Sequence, residues 1–165
     1  MNVGVIGGAD GPTEVFITGS YQMGWINVFG LILVVAMLLP NIVFAFKYRD
    51  LENKCKNKVI NVMEQIGRYG SMFLMIFNIG LLEFGFASLE AMGVYFIGNS
   101  FLMLIYWVTW LMYFHKPALW KSMTLAIAPI LIFLLSGLTL RHYLLTVSAL
   151  VFGVGHIYIT YQNSK

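Results

Sequence analysis

Charged side chains are scarce in this 165-residue chain, since Asp, Glu, Lys and Arg make up only 10% of it. Soluble domains carry about 25% charged residues, so the composition excludes an ordinary soluble globule. The single cysteine, Cys55, excludes an internal disulfide and lies in a lysine-rich stretch that offers no cysteine-based zinc site. Aromatic residues reach 16% and the 16 glycines follow no Gly-X-Y period, which excludes disordered and collagen-like chains.

Motifs of the common enzyme classes are missing from the sequence. It contains no GxSxG, no HExxH, no Walker loop and no dinucleotide fingerprint. The aqueous loops are also too short to enclose a nucleotide. We therefore expect a protein that is not an enzyme, with no catalytic residues, no organic cofactor and no nucleic-acid partner.

Long apolar runs fill most of the chain instead. A helix needs about 20 mainly apolar residues to cross the hydrocarbon core of a bilayer. Five windows meet this requirement: residues 20–46, 69–88, 91–114, 122–140 and 142–161. The sequence therefore predicts an all-α, multi-pass protein of the plasma (inner) membrane, in which residues 23–165 form a five-helix domain surrounded by lipid.

Basic residues predict the orientation of these helices, because Lys and Arg collect in cytoplasmic loops. If five helices alternate, nine of the ten basic residues fall on one side and only Arg141 falls on the other. The first 22 residues carry no Lys or Arg. We therefore predict an outside N-terminus and an inside C-terminus. The start of the chain lacks a basic n-region, so we expect it to remain uncleaved.

The most specific string in the sequence is the glycine-rich stretch GGADGPT, residues 7–13, which belongs to a separate N-terminal loop or re-entrant segment, residues 1–22. Asp10, Gly11 and Pro12 have the pattern of a turn that starts a helix: the aspartate caps, and proline suits an early helical position. Glu14 would then lie near the positive end of that helix. A glycine-rich break with a carboxylate is also how membrane proteins build cation sites.

This string closely resembles the signature loop of the β subunits of sodium-ion-translocating decarboxylases. In that family the loop lies in a broken membrane segment, and its aspartate takes part in sodium binding. The resemblance implies Na⁺ as the ligand and Asp10, Gly8, Gly11 and Thr13 as the sodium site, with Gly7 and Pro12 shaping the loop. It covers about residues 3–19, and the chain from Ser20 onward does not resemble that family.

Ionisable side chains at bilayer depth cost at least about 2.5 kcal/mol, so each is a functional candidate by default. Glu83 lies inside the second predicted span, with Asn78 of the same span and Asn99 of the next as candidate partners. His156 in the fifth span completes a candidate intramembrane polar site. The alternatives are that Glu83 snorkels outward or caps a turn, and that His156 is a satisfied hydrogen-bonding residue.

The stretch between the first two predicted spans, residues 47–68, is the only substantial aqueous segment. Val59, Val62, Met63 and Ile66 recur at helical spacing within it, which predicts a short amphipathic helix on the inner leaflet. This segment either sets the topology through its positive charge or also serves as a docking site for a cytoplasmic partner.

Two functions from different classes are consistent with the sequence. In the first, the protein is a small transporter or transporter subunit that binds or translocates sodium through the Asp10 loop. In the second, it is a non-transporting accessory protein, and the loop is a helix cap or a partner-binding element. Five helices enclose little space by themselves, so the first hypothesis carries the expectation of a homo-oligomer or of another membrane subunit as partner.

Overall fold

The computed structural model describes residues 2–6, 14–18, 24–48, 54–79 and 85–164. Helices make up most of this part, two short strands lie near the N-terminus, and the remaining described residues form turns and connections. The elements are β1 (Asn2–Ile6), β2 (Glu14–Thr18), α1 (Val28–Lys47), α2 (Lys58–Ile76), α3 (Leu89–His115), α4 (Leu119–Thr139) and α5 (Tyr143–Ser164).

Four of the five helices, α1, α3, α4 and α5, are long and apolar enough to cross a membrane. They correspond to the first, third, fourth and fifth predicted spans, so the prediction of long apolar helices is confirmed for these segments. Asn27 fixes the start of α1, because its side-chain oxygen accepts a hydrogen bond from the Gly30 amide at 2.9 Å. Ser88 caps α3 in the same way through the Ala91 amide, at 3.1 Å. The orientation across the membrane stays a prediction.

The second predicted span was wrong in its position. The helix in this region is α2, Lys58–Ile76, which begins eleven residues before the predicted start at residue 69 and ends at residue 76 rather than 88. Asn57 caps its start by accepting from the Val59 amide at 3.0 Å. At its end Phe77 turns to extended backbone and pairs with Ile26 in an antiparallel bridge. The predicted loop helix and the start of the predicted span are therefore one helix.

Helix α2 buries its polar side and exposes its apolar side. Glu64, Gly67, Ser71 and Met75 are buried against the other helices. The outward face carries the residues that suggested an amphipathic helix, with two aromatic residues further along: Val59, Val62, Met63, Ile66, Tyr69 and Phe73. A soluble helix has the opposite pattern. An apolar exterior around a polar interior face is the arrangement expected where lipid surrounds the bundle.

The helices pack in the order α2, α5, α4, α3, and α1 lies across α2 and α3. The α2–α5 contact is the most extensive of these, and small residues allow the two helices to approach each other. A Cβ on Gly67 would lie 2.7 Å from the Phe152 Cα, and a Cβ on Gly70 would lie 2.7 Å from the Ser148 hydroxyl. Ser71 and Ser148 are hydrogen-bonded across this contact, at 3.2 Å. Small residues and interhelical hydroxyls are the usual means of helix association in lipid.

The N-terminal segment forms a hairpin, which corrects the interpretation of Asp10-Gly11-Pro12 as the start of a helix. Strand β2, Glu14–Thr18, pairs antiparallel with β1, and Ile6 lies opposite Glu14. The sequence EVFIT is rich in β-branched and aromatic residues, which favour an extended backbone over a helix. Glu14 is therefore a strand residue and not part of a helix.

A buried lysine caps the end of α3. Lys121, near the start of α4, is only 8% exposed. Its ammonium group donates to the carbonyls of Met112, at 2.9 Å, and Lys116, at 2.6 Å. A cation at the C-terminus of a helix satisfies unpaired carbonyls and complements the helix dipole.

We expect Lys121→Met to lower the free energy of unfolding by about 1–3 kcal/mol, because the carbonyls of Met112 and Lys116 lose a charged donor. Denaturant titration of the purified protein in detergent measures the change. Lys116→Met is the matched control, since the Lys116 side chain is exposed, and it should stay within about 0.5 kcal/mol of wild type. Equal effects of the two substitutions would contradict this role for Lys121.

His142, between α4 and α5, caps the start of α5. Its Nδ1 accepts a hydrogen bond from the Leu145 amide at 3.1 Å, which requires Nδ1 to be unprotonated. Burial lowers the pKa of His142 below its usual value of about 6.5. The neutral form is therefore the form that stabilises the fold.

A lowered pKa in the folded protein means that the unfolded chain takes up a proton first as the pH falls. We therefore expect the melting temperature to drop as the pH is lowered through about 6.5. His142→Asn keeps a side-chain acceptor for the cap but does not titrate. Differential scanning fluorimetry across pH 5 to 8 should show a flatter profile for this variant, and parallel profiles would exclude His142 as the group responsible.

Candidate functional site

The predicted sodium residues Asp10, Gly8, Gly11 and Thr13, together with Gly7 and Pro12, lie outside the described residues. Glu83 of the predicted intramembrane site lies outside them as well. The paired strands β1 and β2 flank the GGADGPT stretch on both sides. The stretch therefore connects the two strands of a hairpin.

The three other residues of the predicted intramembrane site have different hydrogen-bond partners. The Asn78 amide donates to the Gly24 carbonyl at 2.5 Å, beyond the end of α2. Asn99 is buried between α3 and α4, where its amide donates to the Ser136 hydroxyl at 3.0 Å. His156 lies on α5 and faces α2. The helix ends at Ile76 and places Asn78 outside the bundle interior, which the apolar sequence around it did not indicate.

His156 belongs instead to a cluster of charged side chains between α2 and α5. The Glu64 Oε1 atom lies 2.9 Å from the His156 Nδ1 atom. The same oxygen accepts from the Arg68 Nε at 2.9 Å and also from the Arg68 Nη2. We call these three residues the ion cluster. Glu64 is 4% exposed, so its carboxylate is removed from solvent and these two partners supply its hydrogen bonds.

The hydrogen-bond pattern assigns the protons in the ion cluster. An ionised carboxylate only accepts, so the His156 Nδ1 must carry a hydrogen to donate to Glu64. The other ring nitrogen, Nε2, makes no hydrogen bond among the described residues, since both contacts of the ring nitrogens involve Nδ1. The imidazole also stacks on Phe152, with 4.7 Å between ring centroids. The carboxylate and the aromatic ring together fix the orientation of the histidine.

Local sequence explains how the ion cluster assembles. Glu64 and Arg68 are four residues apart on α2 and therefore share one helix face. Gly155 precedes His156, and a Cβ at that glycine would lie 2.7 Å from the Glu64 Cβ. Only the absence of a side chain lets α5 approach α2 closely enough for the histidine to reach the carboxylate. The Lys54 amide also donates to the Asn163 side chain at 2.9 Å, so α2 begins where α5 ends.

Two cavities border the ion cluster. One, of about 410 Å³, lies among all five helices and is bordered by Arg68, His156, Asn41 and Tyr106 together with apolar residues. The other, of about 420 Å³, lies at the ends of α1, α3, α4 and α5 and is bordered by Lys54, Ser122, Thr160 and Asn163. They have Asn41, Phe44, Leu125 and His156 in common. We call the combined space the vestibule.

The deeper part of the vestibule has a fixed polar wall opposite Arg68. The Asn41 amide donates to the Tyr106 hydroxyl, at 2.8 Å, and that hydroxyl donates to the Met37 carbonyl, at 3.1 Å. Tyr106 lies nine residues before the end of α3, a distance of about 14 Å along the helix. The vestibule therefore extends well into the bundle.

Metal-ligating clusters are not found among the described residues: no three His, Cys, Asp or Glu side chains are arranged to hold a metal ion. The one acidic group near the vestibule, Glu64, is covered by its two partners. Among the described residues, the basic side chains that border the open space are Arg68, Lys54 and His156.

Sequence reasoning missed Glu64 and Arg68, because it assigned both to an aqueous loop. The spacing of four between opposite charges was visible in the sequence, as was the apolar set Val59, Val62 and Ile66 on the other side of the same helix. Their combination indicates a helix whose charged side faces inward. The partner His156 is 92 residues away from Glu64 and no local pattern connects them.

We expect Gly155→Ala to destabilise the protein by about 1–3 kcal/mol, because the new methyl group forces α5 away from Glu64. Gly93→Ala on α3 is the matched control, since a Cβ there meets open space. Because alanine favours a helix interior more than glycine does, the control substitution should raise the free energy of unfolding by up to about 1 kcal/mol. Thermal unfolding in detergent measures both, and two stabilised variants would contradict the close contact between α2 and α5.

Comparison with known proteins does not place this chain in a family. No protein-family model, no curated protein and no solved structure matches it. The geometry of the ion cluster and the vestibule is therefore the basis for a functional assignment, together with the glycine-rich loop of the sequence.

Proposed function

We propose that this chain is a small membrane transport protein, or a subunit of one, which binds sodium at the Asp10 loop and a solute in the vestibule. The observation that carries the proposal is the ion cluster beside an open space inside the bundle. Ionisable groups at this depth are costly, and in membrane proteins they mark ligand and ion pathways. The resemblance of GGADGPT to a sodium-binding loop supports the choice of cation.

The depth of the ion cluster follows from α5. This helix is apolar enough to cross a membrane, and His156 lies eight residues, or about 12 Å, before its end. Glu64 lies six residues, or about 9 Å, after the start of α2 at the same end of the bundle. If α5 spans the bilayer, the ion cluster lies within the hydrocarbon region rather than at its surface.

The second candidate is a non-transporting accessory protein, and one observation favours it. Every charge in the ion cluster has a partner within the cluster, as in an ion pair that only holds two helices together. On this hypothesis the glycine-rich stretch serves only as the connection of the hairpin. The two candidates differ in whether sodium binds to the folded protein.

A ligand that binds only the folded state raises its apparent stability by mass action. We expect the melting temperature of the detergent-purified protein to rise with sodium at constant ionic strength, with choline or potassium as the replacement. Asp10→Asn should abolish the rise, because the resemblance makes Asp10 the sodium ligand. Asp50→Asn removes a carboxylate elsewhere in the sequence and should leave the rise unchanged.

The accessory function is favoured if wild type shows no sodium-selective rise and Asp10→Asn behaves like wild type. If the rise occurs and depends on Asp10, uptake of radioactive sodium into liposomes that hold the protein decides whether binding leads to transport. Uptake by wild type but not by Asp10→Asn would establish the chain as sufficient for sodium transport.

A further inference from the structure

Glu64 and Arg68, the two members of the ion cluster on α2, differ in their access to the vestibule. The Arg68 side chain is 39% exposed and borders the deeper cavity, whereas the Glu64 side chain is 6% exposed and borders neither cavity. Arg68 and His156 cover the carboxylate on one side, and Gly155 packs against its Cβ on the other. A solute in the vestibule therefore meets the guanidinium group and not the carboxylate.

Arg68 keeps donors that the ion cluster does not use. Its Nε and Nη2 atoms both donate to the Glu64 Oε1. No hydrogen bond from its Nη1 atom is present in the described part of the chain. A guanidinium group has five N–H donors in a rigid plane, and that plane matches the oxygens of a carboxylate or phosphate. Glu64 thus holds the guanidinium in place while other N–H groups remain available.

The other vestibule residues add a second cation and an apolar wall. Lys54 borders the outer cavity, close to the ends of α2 and α5. Of the described residues that border either cavity, none is acidic. Phe44, Trp110, Leu125 and Phe133 supply apolar surface between the polar groups. A volume of about 410 Å³ is within the range of small-molecule sites, which combine mainly apolar walls with a few polar groups.

We infer that the vestibule binds an organic anion with a carboxylate or phosphate head and an apolar body, whose head is held by Arg68. Lys54 attracts the anion at the outer cavity, and the aromatic and aliphatic wall contacts its body. The inference names the ligand class of the vestibule and rests on its proposed role as a binding site. It does not depend on sodium, which the sequence places at Asp10.

Benzoate is a suitable probe, because it joins a carboxylate to a small apolar ring. The protein is reconstituted in nanodiscs of phosphatidylcholine, and its melting temperature is measured against benzoate, with benzyl alcohol and benzylammonium as neutral and cationic analogues. We expect a saturable rise with benzoate and none with the two analogues. The rise reports binding to the folded state.

Two variants test the assignment to Arg68. The double substitution Glu64→Gln with Arg68→Gln removes both charges of the pair, so no unpaired carboxylate remains buried, and it should weaken benzoate binding by about tenfold or more. Lys54→Gln leaves the ion cluster intact and should weaken binding to a smaller degree, which keeps the test valid if the double variant does not fold. Lys116→Gln, on an exposed lysine outside the vestibule, should bind as wild type does.

The inference is overturned if benzoate stabilises wild type no more than its analogues do, or if both vestibule variants keep wild-type affinity. The source of the head group is tested by adding phosphatidylglycerol to the nanodiscs. Competition with benzoate assigns the site to an anionic lipid, and additive behaviour assigns it to a soluble anion; both outcomes support an anion site at Arg68. The sodium titration reports on Asp10 and the benzoate titration on Arg68. A negative result in one titration therefore does not contradict the proposal that the other one tests.

Discussion

The pairing of Glu64 with Arg68 and His156 is the constraint on which the rest of this bundle depends. A carboxylate that is 4% exposed has lost its hydration, and only well-placed partners offset that cost. One partner comes from its own helix and the other from α5, so α2 must face its charged side inward and lie close to α5. The glycine at position 155 and the contacts at Gly67 and Gly70 follow from this requirement, because larger residues would separate the two helices.

The position of α1 decides whether the interior is filled or open. At one end α1 is held closely: the Asn27 side chain donates to the Tyr95 hydroxyl at 2.7 Å, and Gly30 lies directly against the Met75 carbonyl. Towards its other end a polar contact, from Asn41 to Tyr106, replaces close packing, and the vestibule lies beside it. Polar groups and open space therefore occur together in the half of the bundle where the ion cluster lies. That coincidence is the reason to regard the cluster as part of a binding site and not only as a link between helices.

The apolar runs of α1, α3, α4 and α5 could be located from the sequence, because about 20 apolar residues form a signal that needs no tertiary information. The same criterion misplaced α2, where Glu64 and Arg68 lower the hydropathy of a helix that packs tightly against α5. Hydropathy measures the average character of a segment, and in α2 the exposed and buried faces have opposite character. The candidate site residues Asn78, Asn99 and His156 were chosen by residue type, and each is hydrogen-bonded in a different place.

The sequence by itself determined that the chain forms long helices apolar enough to cross a membrane and carries one specific glycine-rich string, because composition, run length and GGADGPT are local properties. Only the tertiary structure decided which charged groups meet. Glu64 and His156 are 92 residues apart, and their contact requires α2 to begin where α5 ends and a glycine at the point of closest approach. It also decided that Arg68, and not Glu64, is accessible from the vestibule, since exposure depends on how five helices surround a common space.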